Sequence, residues 1–134
     1  MVTKKEISFA VRGNPKAQKR HRHTNRGITY DPSKSDKADF LVLSHTHAPP
    51  EPIKAPITLD LSFFMPIPKS TSKKMKKAME SETFPHTKTP DVDNLYKLLD
   101  CLNGVFWQDD KLIYNVSMQK FYSPVPRTEV KVSW

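Results

Sequence analysis

The stretch Ile57-Thr58-Leu59-Asp60-Leu61-Ser62-Phe63 sets an apolar side chain at every second position and a polar one between each pair. Successive side chains of an extended chain point to opposite faces, so this pattern predicts a β-strand with one face on a core and the other in solvent. The same period marks Ile7, Phe9 and Val11 before it, and Leu112, Tyr114, Val116 and Met118 after it. Val130, Val132 and Trp134 repeat it once more. Ser123-Pro124-Val125-Pro126-Arg127 is a turn-like link, so the last two strands are expected to form an antiparallel hairpin with both prolines outside the ladder.

Helical periodicity fills the intervals. Residues 94–103 place Leu95, Leu98, Leu99 and Leu102 at i, i+3, i+4 and i+7, the pattern of a helix with one buried face. Asp93 stands at the expected N-cap, and Gly104 sits where a left-handed C-terminal residue is wanted. Asp31-Pro32 has the form of an N-cap followed by a first-turn proline, opening a helix with Phe40, Leu41 and Leu43 that ends before Pro49. A basic helix is expected from Ser70 or Thr71, with Met75, Ala78 and Met79 on one side and Lys73, Lys74, Lys76 and Lys77 elsewhere. Residues 13–27 and 80–90 are polar and read as loops. This order of elements predicts one α+β domain over residues 1–134, a small mixed β-sheet with helices packed on one face.

Composition bounds the function. A chain of 134 residues, 37% of them hydrophobic, supplies one modest core. Its net charge of +8, with a pI near 9.6 and a mean hydropathy of -0.62, favours a polyanionic partner through phosphate neutralisation. The single cysteine, Cys101, excludes an internal disulfide and a thiolate zinc site. No stretch approaches the roughly 20 apolar residues of a membrane span, and no apolar run follows the lysines at Lys4 and Lys5, so a soluble intracellular protein is expected.

The chemistry concentrates around the leucine helix. One carboxylate can cap it, but Asp91 and Asp93 both precede it. Asp93, Lys97 and Asp100 fall on the face opposite the leucines, with Lys97 at i+4 from Asp93. Beyond Gly104, the apolar Val105, Phe106 and Trp107 can anchor a return that delivers Asp109-Asp110 to the next strand. Singly, each acid has a plainer role: Asp93 as a cap, Asp109-Asp110 as a solvated turn, Lys97 and Asp100 as surface charges. If the return folds back along the helix, Asp91, Asp93 and Asp110 converge as hard oxygen ligands suited to magnesium or manganese. Such ions activate water and polarise a phosphodiester, while Lys97 would hold the phosphate or offset developing charge.

Arg12, Lys16, Lys19, Arg20, Arg22 and Arg26 crowd one loop, and Lys73 and Lys74 lie with Lys76 and Lys77 on one helix; both groups are candidates for tracking DNA phosphates. His21 and His23 sit among arginines that repel a divalent cation, and His45 and His47 lack the nearby acidic or cysteine ligands of a zinc site.

Asp91-Val92-Asp93-Asn94-Leu95-Tyr96-Lys97, followed by Asp100, Leu102, Gly104, Phe106-Trp107 and Asp109-Asp110, resembles the signature of the RusA-type Holliday-junction resolvases, the crossover junction endodeoxyribonucleases. The basic run from Arg12 through Arg22, followed by Thr29-Tyr30-Asp31-Pro32, is similar to a more degenerate element of phage and prophage members. The resemblance implies a magnesium-dependent homodimer that makes paired symmetric nicks across a four-way DNA junction in recombination and repair. It implies Asp91, Asp93 and Asp110 as metal-site carboxylates, with manganese as a substitute ion, and Lys97 as an active-site base-type residue. Asp109 competes with Asp110 for the third position. A bacterial or phage-infected cytoplasm is the expected location. Two other readings use the same residues: a metal nuclease for other branched or single-stranded DNA, and a non-catalytic DNA-binding protein.

Overall fold

The computed structural model describes residues 4–19, 22–23, 25–27 and 29–134, with backbone alone at 22 and 23. The strands are β1 (Glu6–Arg12), β2 (Arg22–His23), β3 (Thr29–Tyr30), β4 (Ile57–Pro66), β5 (Ile113–Ser123) and β6 (Arg127–Ser133). The helices are α1 (Lys34–His45), α2 (Lys73–Met79) and α3 (Val92–Lys97), the last continued by a 3-10 turn over Leu98–Leu102. A mixed four-stranded sheet runs in the order β1-β6-β4-β5, and β2 and β3 form a separate two-stranded ladder inside the expected basic loop.

β4 is the apolar spine of the sheet. Ile57, Leu59, Leu61 and Phe63 are at most 3% exposed, and they belong to one core with Phe9, Val11, Val130 and Val132 from the neighbouring strands. Phe40 of α1, Leu95 of α3 and Leu98, Leu99 and Leu102 of the 3-10 turn complete that core, so these helical elements share one face of the sheet. The alternate residues Ser8, Asp60, Ser62 and Lys131 line the opposite, polar face. Phe64 also points that way and is covered by the Arg127 guanidinium, 4.0 Å from its ring centre, with Phe121 beside it.

The expected β5–β6 hairpin is not formed. β4 lies between the two strands, pairing parallel with β5 and antiparallel with β6, while β6 also pairs antiparallel with β1. The link with its two prolines arches across the end of β4, where Pro66 pairs with Ser123 and Phe64 with Arg127. In this arrangement both backbone edges of β4, the most buried strand, are paired, which places its apolar face at the centre of the sheet. Tyr114 is 70% exposed although the alternation places it inward. The register slips where Ile57 pairs with Ile113 but Thr58 with Asn115, so Tyr114 is an extra residue turned outward.

Helix starts also shift. Ser33, not Asp31, occupies the N-cap of α1, and Asp31 instead accepts hydrogen bonds from the Ser33 N–H and the Gln18 amide, each at 2.9 Å, and pairs with Lys37 at 2.9 Å. Of the apolar residues on α1, Phe40 is buried and Leu43 is 56% exposed. α2 begins after Ser72, whose side chain accepts from the Met75 N–H, and it packs beside β5. The leucine helix starts at Val92, with Asp91 in the N-cap position and Asp93 in the first turn, and it tightens to a 3-10 turn instead of staying α-helical to residue 103. All four leucines are nevertheless buried. Among the described residues no helix is long and apolar enough to cross a membrane.

Two stability outcomes follow. Leu99 is 1% exposed, so Leu99→Ala is expected to destabilise the domain by about 3 kcal/mol in urea unfolding, through lost transfer energy and the cavity left behind; a cost below about 1 kcal/mol would show that the site collapses around the gap. Asp31 is held down from 3.8 to about 2 by the Lys37 ammonium and then by the Ser33 N–H. A lowered folded-state value means that this carboxylate stabilises the fold above 3.8 and that its contribution is lost as pH falls to about 2. Asp31→Asn is therefore expected to give a flatter stability profile across that acid window; an unchanged slope would remove Asp31 from the acid response.

Candidate active site

The return after the 3-10 turn is built from the backbone up. Gly104 adopts a positive φ of 82°, and its N–H donates to the Trp107 carbonyl at 2.7 Å, closing a tight loop. Ile53 then clamps the far side: its N–H donates to the Phe106 carbonyl and its carbonyl accepts from the Gln108 N–H, each at 2.9 Å. With Phe106 fully buried and Trp107 1% exposed, the segment cannot swing away from the core.

This anchoring separates the two neighbouring aspartates. Asp109 caps the short 3-10 helix Asp110–Leu112, its carboxylate accepting from the Lys111 N–H at 2.9 Å. Asp110 accepts the Trp107 indole N–H at 2.7 Å and lines a shallow cavity of about 210 Å³ with Tyr96, Lys97, Leu99, Asp100 and Trp107. The chain therefore does fold back along the leucine helix, and Asp110 shares a cavity with the Tyr96-Lys97 turn.

Asp91 and Asp93 reach the neighbourhood from the other end of α3. The Asp91 side chain makes no capping bond, so the helix does not engage it. Lys97 Nζ lies 3.9 Å from Asp93 Oδ2, and the two side chains are 62% and 64% exposed, so their pairing contributes little stability and leaves both available to a ligand. Tyr96 is half-buried; burial first and the Asp110 charge second push its phenol up, which keeps the hydroxyl protonated as a donor at neutral pH. Asp100 lies on the wall of the same cavity and pairs with Lys37 at 3.2 Å, the surface charge role expected of it. Burial, and then Asp100, push the Cys101 thiol up to about 11, so it remains an unreactive thiol.

Asp91, Asp93 and Asp110 have the oxygen chemistry of a hard divalent ion, yet among the described residues no group of three His, Cys, Asp or Glu is gathered closely enough to hold a metal. The fold orders the three acids around one helix without drawing them into a closed ligand set.

The basic loop is tied to the same helix. The Gln18 N–H donates to the Asn94 carbonyl at 2.9 Å, and the Lys19 N–H donates to the buried Ser33 Oγ at 2.7 Å. Lys16 pairs with Asp36 at 3.3 Å while staying 60% exposed, and Arg12, Lys19 and Arg26 are exposed. Arg20, His21 and the side chains of Arg22 and His23 lie outside the described residues. Lys73 and Lys74 are exposed in the first turn of α2, and His47 stacks on Phe9 at 5.0 Å, a packing role.

Sequence reasoning passed over Lys120. Burial pushes its ammonium pKa down, and the Asp91 charge, within electrostatic reach, pushes it back up. The signal was present: in Val116-Ser117-Met118-Gln119-Lys120-Phe121-Tyr122, a lysine falls on the inward parity of a strand.

A profile described as Endodeoxyribonuclease RusA matches residues 12–133. The chain is also 37% identical over 134 residues, 94% of each chain, to an uncharacterized protein, YqaN, of Bacillus subtilis (strain 168). The match runs from the end of β1 to the end of β6 and takes in the basic loop, the Asp91-to-Lys97 turn and the anchored Asp110, and on that extent the chain belongs to the RusA endodeoxyribonuclease family.

Proposed function

We propose that this protein resolves four-way DNA junctions by metal-dependent phosphodiester hydrolysis, making paired symmetric nicks as a homodimer during recombination and repair. Asp91, Asp93 and Asp110 would hold the divalent ion, magnesium with manganese as a substitute, and the bound ion would supply an activated water and a Lewis acid. The observation that carries the reading is the anchored return, in which the buried Trp107 indole fixes Asp110 in one cavity with Lys97.

The chain's own residues supply the rest. Lys97, exposed and beside Asp93, can grip a non-bridging phosphate oxygen, and the Tyr96 hydroxyl can donate to a second oxygen. Arg12, Lys16, Lys19 and Arg26, on or beside a loop bonded to Asn94, would seat the flanking phosphates, joined by Arg20 and Arg22; Lys73 and Lys74 would extend that surface. Two strands must be cut at a symmetric junction, and a twofold dimer supplies two such sites. A basic module that only bound DNA would gain nothing from exposed acids beside its phosphate-binding loop.

Incubating a labelled four-way junction and a matched duplex with magnesium or chelator, at fixed salt, tests the assignment. Wild type is expected to nick the junction symmetrically and only with the ion, and Asp93→Asn to bind without cutting. Equal cutting of the duplex would replace junction resolution by general nuclease action, and cutting by Asp93→Asn would remove that residue from the site. Trp107→Phe keeps an aromatic ring but deletes the indole N–H that donates to Asp110; kcat is expected to fall about tenfold with junction binding in chelator little changed. An unaltered kcat would show that the indole does not position Asp110.

A further inference from the structure

Lys120 occupies a position where the sheet has no structural use for a charge. In the row that crosses the sheet it pairs with Phe63, which pairs with Thr128, which pairs with Val11, all on the helix-covered face. Its neighbours on the same side of β5 are Met118 and Tyr122. An apolar residue would satisfy the alternation there, and a half-buried ammonium is held only if its donors find acceptors.

The acceptors are on the segment leading to Asp91. Lys120 Nζ donates to the Lys88 carbonyl and to the Pro90 carbonyl, both at 2.6 Å. An ammonium has three donors, and the Asp91 carboxylate lies within its electrostatic reach. The strand backbone ties the same loop: the His86 N–H donates to the Lys120 carbonyl and the Tyr122 N–H to the Phe84 carbonyl, each at 3.1 Å. The Asp91 carbonyl in turn accepts from the Asn94 and Leu95 N–H groups, so the path runs without interruption from the edge strand into α3.

From this geometry we infer that Lys120 is a positioning residue for the metal site: by holding the carbonyls of Lys88 and Pro90 it fixes where Asp91 presents its carboxylate. The inference rests on the reading of Asp91 as a ligand. Groups that orient a ligand without touching the ion commonly change metal affinity by about 10–100-fold when removed. Lys120 is not a phosphate contact in this assignment, so DNA affinity without metal does not depend on it.

The test compares full-length wild type, Lys120→Met and Asp91→Asn. Free Mn2+ is counted by electron paramagnetic resonance, and junction binding in chelator and thermal unfolding are measured on the same samples. Lys120→Met is expected to bind Mn2+ about tenfold more weakly, to regain nicking as Mn2+ is raised, and to bind the junction in chelator as wild type does. Wild-type Mn2+ affinity in a folded Lys120→Met protein, with affinity lost in Asp91→Asn, overturns the role of Lys120 and leaves the ligand reading standing. Wild-type Mn2+ affinity in Asp91→Asn overturns the ligand reading itself. Weaker junction binding by Lys120→Met in chelator would make Lys120 a DNA contact and also overturn the inference. If Lys120→Met does not fold, Lys120→Gln keeps a polar head in the site and is expected to show the same loss of Mn2+ affinity; wild-type affinity there has the overturning force.

Discussion

A buried indole must find an acceptor for its N–H, and at Trp107 that acceptor is Asp110 at 2.7 Å. The ring is 1% exposed, packed beside Phe106 and clamped from behind by Ile53, so its direction is set by the core rather than by solvent. One hydrogen bond therefore converts hydrophobic burial into the placement of a carboxylate. If the ring were free to rotate, Asp110 would be one more acid on a flexible turn. Because it is not free, the acid stands in one cavity with Tyr96 and Lys97.

The same logic recurs with opposite polarity on the other side of α3. There a charged group from the sheet holds loop carbonyls, while at Trp107 a neutral group from the core holds a charged side chain. Both supports come from elements that also build the hydrophobic core. The acids themselves stay exposed, so the fold separates two tasks: burial fixes position, and exposure leaves the carboxylates accessible. The positive charge around them reconciles this with a polyanionic substrate, since the loop bonded to Asn94 brings cations to the rim of an acidic site.

Much of this was legible in the residues, and what was not has identifiable causes. The alternation in β4 and the leucine spacing mark burial correctly because both depend on local geometry alone. Strand order was not legible: whether β5 meets β6 or β4 is decided by pairings among segments far apart in the chain, which local alternation does not encode. The shift of the cap from Asp93 to Asp91 and the tightening into a 3-10 turn lie within the ordinary play of helix ends, decided here by packing of the leucines. Asp109 and Asp110 are chemically identical in sequence; only the Lys111 N–H and the Trp107 indole tell them apart. Lys120 broke a pattern visibly, but its partners are backbone carbonyls, which carry no sequence signature.

The placement of β6 has a consequence for when the protein can exist as a nuclease. This strand is the last of the sheet in chain order, yet it lies inside the sheet, between β1 and β4. Without it, β1 has no ladder partner among the described strands and β4 has one edge of unpaired N–H and C=O groups, so pairing of residues 6–12 depends on residues 127–133. The segment that carries Asp91, Asp93 and Asp110 thus precedes, in chain order, the strand that joins the two halves of the sheet, and local order around α3 comes before closure of the sheet beneath it.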